Sequence, residues 1–277
     1  MAPHTCEACF HHCCLDEGQL GFCRARKGGV NGVESLSYGK ITSLALDPIE
    51  KKPLAFFRPN AKVLSIGSFG CNMRCPFCQN ASIAQVGEDK ARFRFMSAAE
   101  VVEQALNLRD RGCEGVAYTY NEPATFYEFM IDCAHLAREQ GLLNVVVSNG
   151  MIEGAPLVRL AQTIDAANID VKCFTEEGYR SLSGDLDCVK HTVETLVEVG
   201  VHVELTTLVV PGLSDSTEDM ARECSWIASL DPDIPLHLTR FFPRHHMRTS
   251  APTPMPVLEE LRGVARERLN RVVLGNV

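Results

Sequence analysis

From Val63 onward, short apolar runs alternate with amphipathic stretches, and that rhythm leaves the chain very few folds. The runs are Val63–Gly67, Val116–Tyr120, Asn144–Ser148, Ala167–Lys172, Val201–Val210 and Pro235–Phe241. Most are rich in Val, Ile, Leu and Thr and poor in charge, as strands buried on both faces must be. Between them helix ends are legible. Ser97-Ala98-Ala99-Glu100 spells a capping box whose helix closes near Gly112, and Thr125-Phe126-Tyr127-Glu128 spells another that stops at Gly141. Further helices are expected from about Asp187 to Gly200 and from Ser216 to about Leu230. Strict alternation implies a parallel sheet with right-handed crossovers. A closed barrel of this kind has eight units. Six predict an α/β fold of the partial (β/α)6, TIM-like barrel type, open on one side. In the 277 residues, 61–245 make this barrel and 1–60 a small Cys-rich N-terminal arm with its lead-in. Residues 246–277 supply a Pro-rich linker, a C-terminal cover helix around Val257–Leu269 and a short strand-like run, Arg271–Leu274.

The first run leads at once into Gly70-Cys71-Asn72-Met73-Arg74-Cys75-Pro76-Phe77-Cys78, a C-x3-C-x2-C triplet. Three thiols on one loop can each take a corner iron of a cubane and leave the fourth iron without a protein ligand. Electron carriers close all four corners with cysteine. A zinc site would need a fourth ligand and commonly shows C-x2-C pairs. Polar groups recur where later runs end: Tyr120-Asn121-Glu122, Ser148-Asn149-Gly150 and Asp170-Val171-Lys172. Chemistry in parallel α/β folds gathers at the carboxyl ends of strands, so these groups are expected on the rim that carries the thiols. Asp170 and Lys172, two apart on a strand, point to one face.

With Gly70 before the first thiol and Phe77 before the third, the triplet resembles the signature of the radical S-adenosylmethionine (SAM) enzymes. Asp47-Pro48-Ile49-Glu50-Lys51-Lys52-Pro53-Leu54, Cys78-Gln79-Asn80, Thr119-Tyr120-Asn121-Glu122-Pro123 and Leu274-Gly275-Asn276-Val277 extend the likeness. They are similar to the radical SAM member of the AmmeMemoRadiSam system, which is grouped with pyruvate formate-lyase activating enzymes. The resemblance implies a [4Fe-4S] cluster on Cys71, Cys75 and Cys78, with Phe77 beside the cofactor. It implies reductive cleavage of SAM to methionine and a 5′-deoxyadenosyl radical, then hydrogen abstraction from a protein or peptide, as in glycyl-radical activation. A flavodoxin- or ferredoxin-like electron donor is the implied partner. In this setting Glu122 suits the SAM ammonium through a charge-assisted hydrogen bond, with Asn121 adding a neutral contact. The family's glycines are replaced here, while the carboxylate is kept. Lys172 suits the SAM carboxylate, and Asp170 a ribose hydroxyl, a cation or Lys172 itself. Ser148 and Asn149 match a threonine-asparagine pair of the family as SAM or cation contacts. Each has a plainer alternative: ordinary turns at Asn121-Glu122-Pro123 and Ser148-Asn149-Gly150, and a solvent-facing pair at Asp170 and Lys172.

Thirteen cysteines are an odd and high number, which argues for metal ligation in a reducing compartment rather than for disulfides. Cys6, Cys9, Cys13 and Cys23 make a candidate second metal site, for zinc or an auxiliary iron–sulfur cluster, with Cys14 competing with Cys13 as ligand; free thiols on a loop-rich arm are the plainer alternative. Cys113, Cys133, Cys173, Cys188 and Cys224 read as small core hydrophobes, as does Trp226, and His237 as a core residue. A net charge of -8 argues against a nucleic-acid partner. No apolar run approaches the ~20 residues that span a bilayer, and Met1–Cys6 shows no signal sequence. A cytoplasmic protein without a membrane partner is expected. Two other functions stay open: radical modification of a small metabolite, and a non-catalytic iron–sulfur or zinc scaffold.

Overall fold

The computed structural model describes residues 2–277. Its centre is one eight-stranded sheet whose spatial order is the order of the chain. The strands are β1 (Ser43–Pro48), β2 (Lys62–Gly67), β3 (Cys113–Tyr118), β4 (Leu143–Ser148), β5 (Ala166–Asp170), β6 (His202–Val209), β7 (Leu236–Arg240) and β8 (Val272–Gly275). β1 lies antiparallel on β2, and every pairing from β2 to β8 is parallel. The crossovers carry helices α1 (Ala98–Leu106), α2 (Tyr127–Glu139), α3 (Gly154–Thr163), α4 (Leu186–Glu198), α5 (Thr217–Leu230) and α6 (Met255–Arg266). The six apolar runs are β2 to β7, each end within three residues.

Alternation along each strand separates two cores. Leu64, Ile66, Val116, Val146, Ile169, Leu205 and Leu236 pack outward under the helices. Val63, Ala117, Val145 and Ala166 face the other way, onto Ile49, Leu54 and Ala61 from the β1–β2 connection. That connection floors the inside of the sheet. Asn168 on β5 donates to the Pro53 carbonyl at 2.8 Å, and the Glu204 carboxylate on β6 accepts the N–H groups of Ala55 (3.0 Å) and Phe56 (2.8 Å). One cavity above this floor takes lining residues from the ends of all eight strands, from Lys51 after β1 to Asn276 after β8. A flat sheet would hold its edges about 34 Å apart, so the sheet curls.

Two expectations need correction, and two elements went unforeseen. The C-terminal helix is not a lid laid over a finished sheet. α6 is the last crossover, and β8 extends the sheet as another parallel strand beside β7. Ser43–Pro48 is an antiparallel edge strand, invisible in sequence because Ser43-Leu44-Ala45-Leu46-Asp47-Pro48 lacks clear alternation. α3 begins after Glu153 without any side-chain cap, so no start signal marked it. The Thr125–Glu128 box does not form either. Thr125 Oγ1 donates to the Glu122 carbonyl at 2.7 Å, and Glu128 pairs with Arg26 instead. By contrast, the Ser97–Glu100 box is complete.

Glu204 ties the floor to β6 and β7 and gives the fold an acid-sensitive point. Burial favours its neutral form, but His202 (3.0 Å), His237 (2.6 Å) and the Phe56 N–H outweigh burial and hold the carboxyl at about 2, below its ordinary 4.5. Such a group stabilises the fold above its unfolded pKa and loses that contribution as pH falls through the folded value, here from about 4.5 towards about 2. The difference is worth about 3 kcal/mol. Denaturant unfolding across this window is expected to show a shallower loss for Glu204→Gln than for the native chain. Parallel curves would refute it.

Candidate active site

The loop Cys71–Cys78 leaves β2 at the carboxyl edge of the sheet, and its approach is fixed from two sides. Asn121, just after β3, accepts the Ser68 N–H at 2.8 Å and donates to the Phe69 and Gly70 carbonyls, each at 3.1 Å. Its side chain is thereby committed to shaping the thiol loop. Gly70 sits at φ +83, and a Cβ there would lie 2.5 Å from the Cys23 carbonyl oxygen. Only glycine lets the loop and the arm meet this closely.

Around the loop lies a cavity of about 360 Å³. Cys71, Cys75, Cys78, Phe77, Asn121, Glu122, Ser148, Asn149, Asp170 and Lys172 all line it. Glu122 is buried and holds three bonds: Ala124 N–H at 3.0 Å and Ser148 Oγ at 2.7 Å on Oε1, Asn149 N–H at 2.9 Å on Oε2. The first of these caps the turn Pro123–Phe126, so the turn reading of this segment is also correct. Burial pushes the carboxyl up to about 6 against the pull of these donors. One lone pair of Oε2 remains for a cation. Asn149 Nδ2 reaches Asn72 Oδ1 at 2.9 Å and Cys71 Sγ at 3.7 Å. Lys172 Nζ meets Asp170 Oδ2 at 2.7 Å. Burial works against the ammonium, but Asp170 and Cys75 outweigh it and raise its pKa.

Burial also pushes the three thiols up: Cys71 far, with Glu122 adding to it, Cys75 to about 11, and Cys78 less. Lys172 pulls the latter two back. Among the described residues no three His, Cys, Asp or Glu side chains are grouped to hold a single metal ion. The cavity's thiol donors are these three, with the thioether of Met73 beside them. That donor set fits a cluster with three thiolate corners and one corner for an outside ligand.

Some contacts at and around the cavity carried no local signal. Tyr120 is held at φ +72, with its hydroxyl donating to Asp47 Oδ2 at 2.7 Å and its ring 4.8 Å from Lys52 Nζ. Lys52 is buried and pairs with Asp47 at 2.9 Å. Burial raises Asp47, but Lys52 and Tyr120 outweigh it and hold the carboxyl at about 2. Asp47 and Lys52 stand in a quoted motif, yet nothing local tied them to Tyr120. Thr206, Leu208 and Thr239 line the cavity from β6 and β7; the period of two predicts their shared face, not their role. His237 lies in the core on Glu204, as expected. Cys113, Cys133, Cys173, Cys188 and Cys224 are buried away from the cavity. A larger depression of about 550 Å³ lies at the other end of the strands, around Phe57, Asp165 and Gly200. It contains no thiol.

A profile of the radical SAM superfamily matches residues 65–224. An uncharacterized protein of Methanocaldococcus jannaschii is 40% identical over 275 residues, 98% of this chain and 81% of the relative. A pyruvate formate-lyase-activating enzyme of Clostridium pasteurianum is 27% identical over 168 residues, 58% of this chain and 67% of that protein. Among solved structures, QueE from Escherichia coli superposes with a TM-score of 0.54 at 13% identity, covering 85% of this chain and 92% of its own.

Proposed function

Because the chain belongs to the radical SAM superfamily, we propose that it cleaves SAM reductively at a [4Fe-4S] cluster on Cys71, Cys75 and Cys78 and abstracts hydrogen from a protein or peptide. When bound, the cluster supplies one electron to SAM, releasing methionine and the adenosyl radical that takes the hydrogen. The curled sheet is then the partial (β/α)6 barrel, open between β1 and β8, with residues 1–60 as its arm. The observation that carries this reading is the meeting of three thiols with a buried carboxylate and a half-buried ammonium in one cavity.

Each charged group has a job that the amino-acid head of SAM would complete. The open lone pair of Glu122 takes an ammonium hydrogen, and the cation offsets the cost of ionising a buried carboxyl. Lys172 meets the SAM carboxylate while Asp170 keeps it charged and aimed. Ser148 and Asn149 hold the Glu122 carboxylate in place, and Asn149 also touches Cys71. Phe77 and Met73, both buried, keep water off the thiol loop. Asn121 positions that loop rather than the cofactor.

The protein-substrate reading leans on relatives named as activating enzymes for pyruvate formate-lyase or glycyl-radical enzymes. It brings with it a flavodoxin- or ferredoxin-like donor. No helix of the described residues is long and apolar enough to cross a membrane. This reading takes the enzyme to be cytoplasmic, where reducing conditions keep thiolates available for iron. The test is anaerobic incubation of the reconstituted protein with SAM, dithionite and a peptide carrying deuterated glycine. Deuterium is expected in 5′-deoxyadenosine. Unlabelled 5′-deoxyadenosine would move the substrate to a small metabolite, and none at all would leave only the scaffold reading.

A further inference from the structure

Four more thiols converge behind the active-site loop, in the arm. Cys6, Cys9, Cys13 and Cys23 border a second pocket together with Arg26 and Asn72. The arm folds back to bring them there: the Cys6 N–H donates to the Cys13 carbonyl at 2.9 Å and the His12 N–H to the Cys9 carbonyl at 3.1 Å. Cys13 Sγ turns inward and accepts the Phe22 N–H at 3.5 Å, while Cys14 points out and is exposed. This separates two neighbours that sequence left level.

Ahead of Gly18 the arm has little apolar core of its own. Its own apolar cluster is Cys6, Ala8 and Leu15, and its first strands, His4–Thr5 and Cys14–Leu15, are two residues each. Segments this small need a staple. The thiols are free, so the staple is a metal centre rather than a disulfide.

Its position speaks for iron and sulfide. Asn72, the residue after Cys71, lines the arm pocket together with Cys9. The same Asn72 accepts from Asn149, whose amide also touches Cys71 Sγ. Arg74 lies between the two sets, donating to the Cys71 carbonyl at 2.9 Å and to the Phe22 carbonyl, with its guanidinium 3.9 Å over the Phe22 ring.

We propose that Cys6, Cys9, Cys13 and Cys23 ligate a second iron–sulfur cluster, set back to back with the first across Asn72 and Arg74. The assignment is independent of the substrate. The full chain is reconstituted anaerobically with iron and sulfide, and bound iron, sulfide and zinc are counted. The native chain is expected to hold about eight irons and a Cys71→Ala/Cys75→Ala/Cys78→Ala variant about four. Cys9→Ala/Cys13→Ala is expected to lose about four irons, and Cys14→Ala none. On reduction, the native chain is expected to show an electron paramagnetic resonance signal broadened by coupling between two neighbouring spins, and the triple variant a simple one. A triple variant without iron, or with zinc in its place, overturns the proposal, as does a native chain that stops at about four irons. Because that variant leaves the arm intact, misfolding of the arm variants does not decide the question.

Discussion

Cys75→Ala is expected to abolish formation of 5′-deoxyadenosine from SAM, by at least about 1,000-fold, or more than about 4 kcal/mol of barrier. The reason is a lack of substitutes. Beyond Cys71 and Cys78 the lining offers the neutral thioether of Met73 as a soft donor, no replacement for a thiolate, and its carboxylates are held in place, Glu122 by three bonds and Asp170 by Lys172. Two thiolates do not hold a cubane against loss of iron. The comparison that gives this result meaning is Cys133→Ala. That thiol is fully buried in α2, away from the cavity, and its loss trims a core methyl-sized group at a cost of about 1–2 kcal/mol of stability. Cys133→Ala is expected to lower the melting temperature by a few degrees and keep turnover per bound cluster near native. Equal turnover in the two variants would remove the thiol loop from the chemistry.

How much of this was legible follows from how local each signal is. The strands announced themselves because burial on both faces demands continuous apolar runs, and β2 to β7 supplied them. The thiol triplet carries its meaning in its own spacing. Asp170 and Lys172 were recognisable because the strand period aims both at one face, and the pair at 2.7 Å agrees. Glu122 could be read as a SAM partner or a turn cap, and the structure gives it the cap while leaving an acceptor free. The rest depends on contacts between distant residues. Tyr120 and Asp47 are 73 residues apart, and Arg26 and Glu128 are 102 apart. No window of sequence holds both members of either pair. The same holds for Asn72, whose neighbours in sequence advertise a metal loop but whose role as a wedge between two thiol sets appears only when the arm is docked. The misread Thr125 box shows the converse. A local motif was present, and a stronger partner, the buried Arg26 guanidinium, took its acid away.

Lys172→Met is expected to weaken SAM binding about 100-fold, close to 3 kcal/mol. The methionine keeps the length and apolar stem of lysine and removes only the ammonium, so the cavity keeps its shape. What it leaves is a half-buried Asp170 carboxylate without its partner, next to Cys75 and Cys78, whose thiols feel that charge as well. Two effects therefore overlap: a missing grip on the SAM carboxylate and an uncompensated anion in the cavity. Asp170→Asn added to Lys172→Met separates them. Removing the stranded charge is expected to recover most of any lost thermal stability, because the penalty of an unpaired buried carboxylate disappears. It is expected to leave SAM affinity low, since no ammonium has returned. Calorimetric titration of SAM into the reconstituted double variant reads the second effect, and its melting curve the first. If the double variant regains native affinity, Lys172 serves only to neutralise Asp170, and the contact with the SAM carboxylate belongs to another cation. Lys51 is then the candidate, since it lines the same cavity and keeps most of its side chain exposed beside Asp47.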